Sequence, residues 1–118
     1  MYNIKADTIK NRLNILIEGI LTTQDIESYM KDMRVTVSKL KPGFTTLLDL
    51  SKTTVFSQEI LEKLQETKEV AVKGGMSKSA FFVSSVIMKM QMNRNFGEIG
   101  PKDMAFNSLE EAEKFLQE

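Results

Sequence analysis

Apolar residues recur at Ile26, Tyr29, Met30, Met33, Val37 and Leu40, the spacing of one face of an α-helix, and the pattern breaks at Lys41-Pro42-Gly43. Thr22 and Asp25 stand three apart just ahead of it, as in a capping box. Upstream, Tyr2 to Ile9 holds short β-favourable pieces, Asn11-Arg12 suits a turn, and Leu13 to Ile17 reads as a strand ending near Gly19. A hairpin is therefore expected first. Phe44 to Leu50 is β-rich and mostly apolar, which suits a strand covered on both faces, and a polar loop is expected from Ser51 to Thr54. Ser57 precedes a second amphipathic helix, from about Gln58 to Lys73, with Ile60, Leu61, Leu64 and Ala71 on one side. Gly74-Gly75 supplies its left-handed stop. Ala80 to Val83 reads as a short buried strand, and Ser84 or Ser85 as the cap of a helix running toward Phe96. Met104 to Phe106 gives a last strand. Ser108 and Glu111 then form a capping box ahead of a closing helix faced by Leu109, Ala112, Phe115 and Leu116.

The order ββαβαβαβα predicts an α/β fold. Its sheet is small, mixed and mainly parallel, with four to five strands, an N-terminal hairpin and four helices that together cover its apolar faces. With 118 residues, 42% of them hydrophobic, the chain suits one core, so residues 1–118 are read as a single domain.

Composition narrows the chemistry. The chain has no Cys and no His, which removes disulfides, thiolate nucleophiles, Cys/His zinc sites and an imidazole base. No nucleophile-elbow, phosphate-loop, dinucleotide or calcium-loop pattern occurs, and no catalytic residue, metal site or cofactor is expected. The reading is non-enzymatic. Sixteen basic residues balance sixteen acidic ones, so no general field draws nucleic acid or an anionic membrane. No apolar run has the length of a membrane span and the first ten residues lack signal-peptide order, so a cytoplasmic protein without an integral membrane segment is expected.

Several stretches together resemble the STAS domain in its SpoIIAA-like, anti-sigma-factor-antagonist branch. They are Gly19-Ile-Leu-Thr-Thr, Leu47-Leu-Asp-Leu-Ser51, Phe56-Ser-Gln-Glu-Ile-Leu61 and the tail Phe106-Asn-Ser-Leu-Glu-Glu-Ala-Glu-Lys-Phe-Leu116. The resemblance implies a non-catalytic bacterial regulatory module that binds a kinase-like or sigma-regulatory protein. It also implies a loop, entering the second helix, whose serine takes phosphate from that kinase. Counted from Asp49, the Asp-Ser-Ser-Gly-like motif falls on Ser57, Gln58, Glu59 and Ile60. Gln58, at the acceptor place, has no hydroxyl, so a phospho-switch depends on a one-residue shift that brings Ser57 there. The partner loop so implied comprises Ser51, Thr53, Thr54, Ser57 and Gln58. Ser57 also suits a plain N-cap, and that use is the commoner one. Asp49 falls near the end of a central strand, where open α/β sheets place ligands, or it hydrogen-bonds the following loop.

A second candidate surface is apolar: Ile60, Leu64, Val86, Met88, Met90, Met92 and Phe96. Flexible, polarisable methionines suit varied apolar partners, although such stripes usually build core. Members of the branch look like small CRAL-TRIO-type lipid carriers, which implies a small apolar ligand as the alternative function. A Met-rich face also suits a homodimer contact.

Overall fold

The computed structural model describes residues 1–53, 56–96 and 103–118, with side chains described for all of these except 93–96 and 103. Strands β1 (Tyr2–Asp7) and β2 (Arg12–Gly19) form the N-terminal antiparallel hairpin. Asp7 closes its turn by accepting the amides of Ile9 and Lys10 at 3.1 and 3.0 Å. Asn11, at φ +54°, takes the left-handed position that asparagine tolerates. There follow α1 (Thr23–Val37), β3 (Thr45–Thr53), α2 (Gln58–Lys73), β4 (Lys78–Phe82), α3 (Val86–Phe96), β5 (Asp103–Phe106) and α4 (Leu109–Gln117). The five strands lie side by side in chain order, β1-β2-β3-β4-β5, with every pair after the hairpin parallel.

Caps explain where the helices begin. Thr22 and Asp25 form a reciprocal capping box on α1, each side chain taking the other's amide, at 3.1 and 2.9 Å. Ser57 Oγ accepts the Ile60 amide ahead of α2, Ser85 Oγ the Met88 amide ahead of α3, and Ser108 Oγ the Glu111 amide ahead of α4. The left-handed residue after α2 is Gly75, at φ +102°, while Gly74 stays right-handed. A Cβ on Gly75 would stand 2.7 Å from Pro42 Cα, so the close approach of the two loops also demands glycine.

Strand alternation sorts the side chains onto two faces. Leu13, Ile15 and Ile17 of β2, Leu48 and Leu50 of β3, and Phe81 of β4 join one large core. The apolar sides of α1 and α2 and Met88 and Met92 of α3 complete it, with Tyr2, Ile4 and Ala6 of β1 packed on its margin. Leu47 and Ala80 point the other way and meet Ala112, Phe115 and Leu116 of α4 in a second, smaller cluster. Four helices therefore do not blanket the sheet evenly: three share one face and α4 alone lies on the other. The hairpin's outer face stays bare there, and its residues suit water, with Asn3 and Lys5 exposed and Asn14 half-buried.

Polar ties fasten α4. Arg12, only 5% exposed, forms an ion pair with Glu113 and donates through Nε to Thr45 Oγ1 at 3.3 Å. Lys78 Nζ donates to the Phe115 and Glu118 carbonyls at 3.1 and 2.6 Å and lies 5.2 Å over the Phe115 ring centre.

One further expectation changes. Ser51 to Thr53 is strand, not loop, because β3 runs on to pair Lys52 and Thr53 with Glu18 and Gly19. Its register shifts on the way, one residue of β2 between Leu16 and Glu18 matching two of β3 between Asp49 and Lys52. Tyr29 of α1 is wholly buried, and its hydroxyl shares a hydrogen bond with Thr67. Burial pushes its ionisation well above the ordinary tyrosine range.

Candidate functional site

The carboxyl ends of β2, β3 and β4 open on one edge of the sheet, and the chain leaves each of them for a helix start. Between the first two lies a concavity of about 270 Å³ lined by Gly19, Ile20, Leu21, Thr53, Phe56, Ser57 and Ile60. Thr53 Oγ1 donates to the Gly19 carbonyl and ties the two strand ends together. Ser57 sits at the rim, exposed, with an extended backbone (φ −69°, ψ 160°) and its Oγ 3.3 Å from the Ile60 nitrogen. That geometry is a working N-cap at the positive end of a sixteen-residue helix. Gln58 follows on the exposed first turn.

The third helix is clasped to this loop. Gln91 Oε1 accepts the Phe56 amide at 3.2 Å and Gln91 Nε2 donates to the Phe56 carbonyl at 3.0 Å. The side-chain amide thus holds the residue before Ser57 at both backbone groups. No pattern in the sequence marked Gln91 for this role, since a glutamine on a helix is ordinary until the facing loop is known.

The structure splits the apolar candidate set. Ile60, Leu64, Met88 and Met92 lie in the core, Met88 and Met92 at 2% and 0% exposure. Val86 and Met90 turn outward instead, 67% and 66% exposed, with Ile87 beside them at 68%. Met88 and Met92 are four residues apart and share one face, while Val86 and Met90 share another. The continuous stripe expected is therefore two faces, one packed and one bare. Phe96 ends α3, and its side chain lies outside the described residues, as does Thr54 altogether. Ile20, 80% exposed at the lip of the concavity, is a further apolar residue on this edge that sequence reasoning missed. Its signal was a large aliphatic just after a glycine that closes a strand.

Ser51 and Asp49 belong to the fold. Asp49 Oδ1 accepts the Ser51 amide at 3.0 Å and its hydroxyl at 2.6 Å, within the stretch where the β2–β3 register shifts. Asp49 lies inside β3, not at its end, on the α4 side of the sheet. There it lines a shallow groove of about 340 Å³ with Lys5, Asn14, Leu16 and Glu113 among others. Among the described residues no three His, Cys, Asp or Glu cluster as metal ligands, and no helix is long and apolar enough to cross a membrane.

With the strand order and the helix placement established, the backbone can be set against known folds. A DUF3478-family protein from Shewanella loihica superposes with a TM-score of 0.74 at 15% identity, over 98% of this chain and 93% of that one. It is described as having a SpoIIAA-like fold. The anti-sigma factor antagonist SpoIIAA, in its unphosphorylated form, superposes with a TM-score of 0.67 at 13% identity, over 99% of this chain and 98% of that one. The chain has a SpoIIAA-like fold. No family model and no curated protein matches the sequence. The likeness to these two structures is one of backbone fold.

Proposed function

We propose that the protein is a non-catalytic, STAS-type regulatory module that binds a protein partner through the carboxyl edge of its sheet. The observation that carries this reading is the set of exposed aliphatics on the segments that leave that edge. Ile20 follows β2, and Val86, Ile87 and Met90 line the outer side of α3, all at least two-thirds bare. Such a cluster suits an interface core ringed by polar residues. Ser57 stands at the adjoining rim, where an added phosphate would meet the positive end of α2. SpoIIAA's role as an anti-sigma factor antagonist and its having an unphosphorylated form support a kinase-like partner, and Ser57, unlike Gln58, carries a hydroxyl that can take phosphate. A carrier of apolar ligands would instead require Met88 and Met92 to leave the core.

The test is calorimetric titration of the purified protein with a kinase-like anti-sigma protein from the same host, with and without nucleotide. The Val86→Glu/Met90→Glu variant should bind at least tenfold more weakly. Leu109→Ser, which alters an exposed leucine on α4, should bind as the wild type does. Absence of binding by the wild type, or equal binding by both variants, would refute the assignment.

A further inference from the structure

One hydroxyl in the core has no protein partner. Ser79 of β4 is 3% exposed, and its Oγ has no hydrogen-bond partner among the described residues. Strand alternation sets its direction: Phe81, two residues on, packs in the large core beside Leu48, so Ser79 faces the same way. Across the parallel pair its register partner is Thr46 of β3, also buried and on that face. Thr46 Oγ1 donates to Met76 Sδ at 3.0 Å, which leaves its oxygen lone pairs to accept.

Both residues line a partly open cavity of about 40 Å³ between α2 and the sheet. Ile15, Leu48, Leu64 and Ala71 form part of its apolar wall. A buried water needs roughly 10–15 Å³ and two or more polar partners. The volume suffices, and adjacent strands lie about 4.8 Å apart, a separation that one water spans from hydroxyl to hydroxyl. A wholly apolar cavity of this size would stay dry and admit apolar solutes, but a free hydroxyl on the wall reverses that preference.

We infer that this cavity is an internal water site, in which one or two waters bridge Ser79 Oγ and Thr46 Oγ1. The space under α2 then belongs to solvent and is closed to small apolar ligands. Ser79 and Thr46 hold the water, and the leucine and isoleucine methyls surround it without binding it.

Methyl-resolved NMR tests the assignment at the site itself. In the wild type, the Ile15, Leu48 and Leu64 methyls should show direct magnetisation transfer from water and no shift under xenon pressure. In Ser79→Ala the transfer should vanish and the same methyls should shift with xenon. Thr46→Val should weaken the transfer as well. Xenon-induced shifts at these methyls in the wild type, or no transfer from water there, would overturn the inference even if neither variant folds.

Discussion

Replacing Ser57 separates its duty to the helix from any duty to a partner. Its oxygen accepts one of the amides that α2 leaves unpaired at its first turn, at 3.3 Å, near the long end of a good hydrogen bond. Removing such a cap costs about 1 kcal/mol, the middle of the measured range. For a domain of this size that corresponds to a fall of about 4 °C in Tm. Ser57→Asp keeps an acceptor at the same place and adds a negative charge to the positive helix end, a gain of about 0.5 kcal/mol. Glu59, in the same first turn, repels that charge and cancels part of the gain. The expected order of stability is therefore wild type close to Ser57→Asp, with Ser57→Ala about 1 kcal/mol below both. Urea unfolding followed by circular dichroism resolves that difference. If Ser57→Ala unfolds at the wild-type midpoint, or Ser57→Asp falls with it, the capping argument is wrong. Once the order holds, a change in partner binding by Ser57→Asp reports charge and not a frayed helix.

Two further outcomes follow from contacts on the hairpin. Glu113→Ala leaves the buried Arg12 guanidinium, among the described residues, with only the Thr45 hydroxyl and should cost about 2 kcal/mol, whereas Arg12→Met frees a one-third-exposed carboxylate to water and should cost less than half of that. Equal losses in urea titrations would refute this asymmetry. Tyr2 is pushed up to about 12 by burial and by its 2.6 Å hydrogen bond to Asp32, so the unfolded chain, titrating near 10, gives up this proton first. Its contribution to stability is thus complete below about pH 10 and is lost as pH rises through about 12. Tyr2→Phe should make that part of the stability profile shallower, leaving the slope that buried Tyr29 contributes, and native protein should show almost no phenolate absorbance near pH 10.

The helices were legible because their signals are local. Thr22 and Asp25, Ser57, and Ser108 announced their starts from within four residues of the amides they hold. The mixed sheet followed from the alternation of elements. The continuation of β3 through Ser51-Lys52-Thr53 was hidden because these polar residues resemble a loop, and only the pairing with Glu18 and Gly19 makes them strand. The outer and inner faces of α3 were blurred because Val86, Ile87 and Met90 are as apolar as the buried Met88 and Met92, which leaves little contrast for periodicity to detect. The Gln91 clasp and the Ser79–Thr46 pair join residues at least 33 apart in the chain, and no short-range pattern could announce either.

Because strand neighbours in the sheet are also neighbours in sequence, this chain never has to insert a segment between two already in place. A ribosome releasing it from the amino end could lay down hairpin, then β3, β4 and β5, each against a finished edge. The helix α4, which emerges after all five strands, is also what shields Leu47 and Ala80. A nascent chain, or one cut before α4, would therefore carry a sticky patch on its sheet until that helix arrives.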